Sequence, residues 1–256
     1  MLPKFLTPYY ISNKKLVRIG SKYDGGYVVL KKSVYKTKHL ITYGICDNFD
    51  FEKQFQKLSK CTLSSYDNSI DFNFWLSRLK KDLIKFFQLK IFKLNKLLDI
   101  FKYLDFLIFY SKKKNNFYLK KITNKNKKNC IRFVDTINKN KNNFFLKIDI
   151  EGYEYEFISQ ILKFEKNLTG FVIELHYVEK KYFIIKNFIQ KLKFQKLIHI
   201  HGCTYANLNK KNIPEVLELT FANINLLDHL NKNKKKKYPI KFLDNPNSKR
   251  HRQHRF

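Results

Sequence analysis

Residues 144–156 read FFLKIDIEGYEYE. The run opens apolar with Phe144, Phe145 and Leu146 and continues through Ile148 and Ile150, the pattern of a short strand buried in a sheet. Asp149 and Glu151 interrupt it two residues apart. Gly152 follows, and residues 153–162 read as the start of a helix. A buried strand that ends in acids and turns through glycine into a helix is where open α/β sheets place ligands, outside the carboxyl ends of their strands. Carboxylates at a strand end cost free energy unless they meet water, donors, a cation or a ligand. The plainer reading is that both acids only serve the helix N-terminus.

Upstream, residues 39–48, HLITYGICDN, have the same grammar. Leu40, Ile41 and Tyr43 form a strand, Gly44 permits close backbone approach, and Asp47 lies just beyond. Residues 49–58 then have helical spacing, with Phe51, Phe55 and Leu58 on one face. A strand, glycine and helix in this order bring free helix N–H groups to the strand end, ready for an anionic or polar ligand. The stretch is not a GxGxxG loop. Residues 61–70, CTLSSYDNSI, give a second strand ending in Asp67, about 20 residues after Gly44. An acid at that spacing accepts hydrogen bonds from ribose hydroxyls in nucleotide-binding α/β folds. The competing reading is an Asx turn made by Asp67 and Asn68. Earlier still, residues 16–30, LVRIGSKYDGGYVVL, predict two strands around Asp24-Gly25-Gly26. Arg18 and Asp24 either pair across that turn or face a ligand.

Downstream, residues 170–177, GFVIELHY, predict a buried strand with Glu174 and His176 near its end. A helix over 180–196 follows, then a strand, LIHIHGCTY, with His199 and His201 on one face, and a last strand in 214–223. Strands alternating with helices, then two strands joined without one, predict a mostly parallel sheet closed by an antiparallel strand. The HxH pair and Glu174 lack a further ligand in register, so no metal site is expected. Residues 75–110 read as one long or two shorter amphipathic helices, apolar and basic. Such a face packs on its own domain or lies on a membrane surface. Residues 131–137 suggest a short helix.

The 256 residues suffice for a large α/β domain, and 44% of them are hydrophobic. The formal net charge of +31 suggests nucleic acid, acidic lipid or a phosphorylated substrate. Lys, Asn, Ile, Phe and Tyr are all abundant while Gly, Pro and Trp are scarce, a bias that an A+T-rich coding genome gives to any fold. Cys46, Cys61, Cys130 and Cys203 form no CxxC pair, which fits a reduced, cytoplasmic setting, with contact at the inner face of the membrane as a further option. The first residues lack a signal-peptide core, and no run of about 20 uncharged apolar residues predicts a membrane span.

Together RIGSKYDGGYVV, ITYGICDNFDFE, SYDNSI, FLKIDIEGYEYEFI, FVIELH, HIHGCTYAN and VLELTF resemble the FkbM-type branch of S-adenosylmethionine-dependent methyltransferases. The resemblance runs from Arg18 to Asp244. It implies a Rossmann-like seven-stranded sheet, mostly parallel with a terminal antiparallel strand and helices on both faces. Within this, the chain divides into an N-terminal hairpin (1–35), the methyltransferase domain (36–245) with a helical insertion over about 80–112 that caps the site, and a basic flexible tail (246–256). The resemblance implies S-adenosyl-L-methionine as cofactor. Gly44 and Asp47 match its first loop, Asp67 the ribose acid, and Asp149 and Glu151 the motif beside the reacting methyl group. The loop departs from the richer GxGxG form, and Cys203-Thr204 stand where the branch often has two asparagines. Asp149 or Glu151 is the expected base, with His176 or His201 as alternatives; Arg18, Asp24 and His201 are the expected acceptor contacts. A sugar, glycan or other hydroxylated metabolite is the implied acceptor. A nucleic-acid methyltransferase and a non-catalytic membrane-surface protein are the rival classes.

Overall fold

The computed structural model describes residues 2–88, 98–125, 127–137, 142–228 and 236–256. Chain order begins with a hairpin, β1 (Leu16–Ile19) and β2 (Tyr27–Leu30), and α1 (Lys31–Lys36). Then come β3 (His39–Tyr43), α2 (Asp50–Ser59), β4 (Thr62–Tyr66), α3 (Phe72–Gln88), α4 (Leu98–Tyr110) and β5 (Asn115–Tyr118). Two short strands, β6 (Lys121–Thr123) and β7 (Cys130–Arg132), precede α5 (Phe133–Ile137) and β8 (Phe144–Ile148). The chain closes with β9 (Leu168–His176), α6 (Tyr182–Lys191), β10 (Gln195–Gly202) and β11 (Val216–Asn223).

Seven strands form the central sheet in the order β10-β11-β9-β8-β3-β4-β5. Neighbours from β9 through β8, β3 and β4 to β5 are parallel. β11, the last strand in the chain, runs antiparallel between β9 and β10. This is the Rossmann-like α/β sheet expected, with its closing antiparallel strand set one place in from the edge. Every residue of β3, β8 and β9 is buried, because helices cover both faces. Alternation along β8 feeds two cores. Phe144, Leu146 and Ile148 join Tyr43, Phe157 and Phe171 on one face. Phe145 joins Phe51, Phe55, Trp75 and Phe109 on the other.

Three local readings gain detail. After Gly152 the expected helix takes the form of two 3-10 turns, Tyr153–Glu156 and Ile158–Lys163. Glu154 is the cause: its carboxylate is fully buried and accepts from the N–H of Gly152 and of His176, 22 residues away. A buried acid satisfied by another strand overrides helix propensity. β5 was missed because an edge strand reading NNFY lacks an apolar run. The amphipathic region divides into α3 and α4; Leu94, Leu97, Lys93 and Lys96, part of that reading, lie outside the described residues.

The hairpin β1–β2 packs on the sheet, with Thr220 Oγ1 donating to Val28 O at 2.8 Å. The segment read as a free tail lies along the far strands. Asn247 is buried, Phe256 N donates to Tyr238 O at 3.0 Å, and a side chain at Gly202 would strike Phe256.

Candidate active site

Strand order reverses between β3 and β8, and the loops leaving them part in opposite directions. That opens a cleft at the carboxyl ends of β3, β4 and β8. It measures about 400 Å³ and is lined by, among others, Gly44, Asp47, Asp67, Lys147, Asp149 and Glu151. Ligand clefts typically hold about 300–1,000 Å³.

The loop after β3 is built for close approach. Gly44 has φ +74°, and a Cβ there would run into the carbonyl of Asp149. Three non-glycine residues at the carboxyl ends of β3, β8 and β9 also have positive φ: Cys46 (46°), Glu151 (54°) and Tyr177 (54°). Such strain tends to collect at functional sites. Asp67 fixes the loop from β4. Its Oδ2 accepts from the N–H groups of Ile45 and Cys46, both at 2.9 Å, and its Oδ1 from Ser69 N and Oγ at 2.7 and 2.6 Å. Asp67 thus closes an Asx-type turn at Ser69 and also lines the cleft. Asp47 is turned to the helices, pairing with Arg78 of α3 at 2.9 Å and Lys102 of α4 at 2.8 Å. Burial opposes its charge, yet Lys102 and Arg78 hold its carboxyl below the ordinary range. Phe49 stacks on Phe109. Among the described residues α3 and α4 do not line the cleft; Arg78 and Lys102 brace its first loop through Asp47.

Lys147 was not singled out from the sequence. It stands on the α2 face of β8, 2% exposed, donating to Gly44 O at 2.6 Å and lying 3.7 Å from the fully buried Glu52. Burial works against its charge, but Glu52, Asp149 and Asp67 raise its pKa. A lysine within an otherwise apolar buried strand was the available signal. Asp149, beside it, accepts from Tyr27 Oη at 2.8 Å. Burial raises the Asp149 carboxyl above its ordinary value against the pull of Lys147 and Tyr27, and Glu151 and Asp24 add to the rise.

Next to the cleft lies a row of ionisable groups. Glu174 of β9 sits opposite Glu218 of β11, which sits opposite His201 of β10. Like charges directly opposed are destabilising. Here His201 Nδ1 lies 3.0 Å from Glu218, and Asn247 donates to the other Glu218 oxygen at 2.8 Å. Burial opposes the charge of Glu218, but His201, Asn247 and Arg18 hold its carboxyl below the usual range. Burial instead pushes Glu174 well up, and Asp149 pushes it further. His176 is ringed by Glu174 at 3.2 Å and by Glu151 and Glu154, each at 3.3 Å. Against burial, these carboxylates raise His176 to about 12. A pKa raised in this way favours the imidazolium form, which has no lone pair for a proton.

Of the expected acceptor contacts, Asp24 lines the cleft. Arg18 does not pair with it; the guanidinium bonds to the carbonyls of Ser21, Lys22 and Tyr23. Asp24 accepts from Asn247 instead, at 3.2 Å. His201 is buried behind Glu218. His199 pairs with Asp244 at 3.0 Å, apart from His201, and among the described residues no group of three His, Cys, Asp or Glu is placed to hold a metal ion.

No family model matches the chain, and no curated protein matches it. Among solved structures it is similar to an rRNA methylase from Streptococcus thermophilus, at 11% identity over 75% of this chain and 92% of that one, with a TM-score of 0.41. A precorrin-6y methyltransferase from Geobacter metallireducens shares 7% identity over 75% and 86% of the chains, at 0.38. M. jannaschii TYW2, solved with AdoMet, shares 10% over 84% and 90%, at 0.34.

Proposed function

We propose that this chain is an S-adenosyl-L-methionine-dependent methyltransferase of the FkbM type that methylates a hydroxyl of a sugar or glycan. The observation that carries the reading is the meeting of the Gly44 loop, Asp67 and Asp149 in one cleft at the switch point of this sheet. The residues present fit the cofactor. The Gly44–Cys46 backbone offers a close-approach loop held by Asp67, and Ile45, Ile122 and Tyr66 give the cleft an apolar wall for a flat base. When bound, the cofactor supplies a methyl group already activated on a sulfonium.

The protein's part is alignment and proton handling. Holding acceptor and donor in line is worth about 7–11 kcal/mol. Asp149 takes the acceptor's proton: it reaches the cleft, and its raised pKa brings it nearer neutral pH, which strengthens a general base. Tyr27 holds one of its oxygens. Burial and Asp149 push the Glu174 carboxyl up, and His176 lies between it, at 3.2 Å, and Glu151, at 3.3 Å. Asp24, Asp149 and Glu151 line this end of the cleft in a chain of net charge +31, which favours a neutral polyol over a polyanion such as RNA. Exposed Tyr153 and Tyr177 beside Gly152 offer ring faces and hydroxyls to a sugar. All four cysteines are free, in keeping with a reducing cytoplasm.

Calorimetric titration of S-adenosylmethionine and S-adenosylhomocysteine tests the reading. Micromolar binding, abolished in Asp67→Ala, supports it and justifies a screen of glycans with labelled methyl donor. Folded protein that binds neither ligand sinks it. Asp149→Asn then separates the roles: cofactor binding persists while turnover drops by about 10²–10⁴-fold.

A further inference from the structure

α4 is apolar around most of its circumference. Phe106 and Phe109 are buried against the Phe49 and Trp75 cluster. The opposite arc carries Phe101, Leu104, Leu107 and Ile108, from 45% to 63% exposed. A surface helix normally turns a polar face to water. On α3, Leu83 and Ile84 are likewise exposed, and beyond α4 so are Tyr118 and Leu119. Clustered apolar exposure of this kind marks an interaction surface.

The charges on these elements are sorted by sign. Asp82 is buried and accepts from Asp99 N, Asp99 pairs with Arg78, and Asp105 pairs with Lys53 of α2. The acids of the two helices are thus taken up by their own domain. Lys80 and Lys81 on α3, and Lys112, Lys113 and Lys114 directly after α4, are exposed. Apolar side chains flanked by outward lysines are the signature of a helix lying in the interface of an anionic bilayer. No helix among the described residues is long and apolar enough to cross a membrane, so the fit is to a surface.

We infer that the outer faces of α3 and α4 dock on an anionic lipid bilayer. Phe101, Leu104, Leu107 and Ile108 enter the headgroup boundary and Lys112–Lys114 meet the lipid phosphates. Lipid charge distinguishes this occupant from a second copy of the chain, whose face would bring the same lysines together. The inference does not depend on methyl transfer. Its link to the cleft is mechanical, since Arg78 and Lys102 of the docking helices hold Asp47 of the first loop.

The test is co-sedimentation of the full chain with vesicles of phosphatidylcholine alone or with about 30% phosphatidylserine. Wild type is expected to bind the anionic vesicles and to leave the neutral ones. Leu104→Ser with Ile108→Ser should weaken binding about tenfold or more at an unchanged melting temperature. Leu83→Ser with Ile84→Ser is the second variant should the first unfold. Equal binding by the folded variants and wild type would overturn the inference, since net positive charge alone would then explain it. So would failure to bind anionic vesicles, or light scattering that shows a dimer which the substitutions dissolve.

Discussion

The cleft end of the sheet and the end beside it are made of different material. The end at β3 and β4 is mostly backbone: a glycine at positive φ, N–H groups collected by Asp67, and a carbonyl held by Lys147. The end at β9, β11 and β10 is mostly ionisable side chains, with Glu174, Glu218 and His201 in register across three strands. The first has its shape set by chain geometry and tolerates few side chains. The second has its properties set by which groups hold protons, and so responds to pH. A backbone site suits a ligand that never changes, whereas a side-chain site can be retuned for an acceptor.

The strongest way to break this contrast is Gly44→Ala. It adds a carbon where the Asp149 carbonyl stands and forces a side chain to φ +74°. The positive φ alone costs about 1–3 kcal/mol, so cofactor affinity should fall by more than about tenfold in calorimetry; unchanged affinity would refute the backbone reading. Lys147→Met comes next. It strands Glu52 in the core, costing about 3–5 kcal/mol by urea unfolding, whereas Lys147→Met with Glu52→Leu should recover most of it. In the single variant Glu52 folds most readily as the neutral acid, so the deficit should grow as pH rises from 5 to 8 (~3 units). Recovery of stability without recovery of cofactor affinity would separate the ion pair from the Lys147 bond to Gly44.

A smaller effect sharpens the other end. His176 is raised from about 6.5 to about 12 in the folded chain. Its contribution is complete below the unfolded value and is lost as pH climbs through the folded one. The advantage of wild type over His176→Gln should therefore shrink steadily above about pH 6.5 in urea midpoints; a gap constant to pH 10 (~3.5 units) would contradict the charge assignment. Asn247→Ala should be mildest, about 1–2 kcal/mol, through its bonds to Glu218 and Asp24.

Much of the first end was legible, because β3 and β8 are mostly apolar runs and β4 a short β-prone one, and the three stop at Gly44, Asp149 and Asp67. Position in the chain and position at the site coincide there. At the second end they do not. Glu218 lies in VLELTF, where alternation shows a face but not the His201 that crosses to it. Glu154 read as one more polar residue of a helix, and only the path of β9 reveals its bond to His176 N. Lys147 was hidden by the run that surrounds it. Asp47 lines the cleft, but its pairing with Arg78 and Lys102, 31 and 55 residues on, could not be read from the sequence. In the tail, Asn247 accepts from Thr204 N just past β10 and Phe256 lies against Gly202, contacts that its basic composition does not reveal.

The place of β11 has a consequence for synthesis. This strand leaves the ribosome after β10 yet must lie between β10 and β9, so the sheet cannot be completed from its parallel members alone. While residues 216–223 are still untranslated, β9 has an open edge and β10 has no partner. Exposed edges in partly made chains invite mispairing. The same delay keeps Glu218 away from Glu174 and His201, and Asn247 seals them later still. A product truncated before residue 216 would carry Glu174 and His201 without the Glu218 that stands between them.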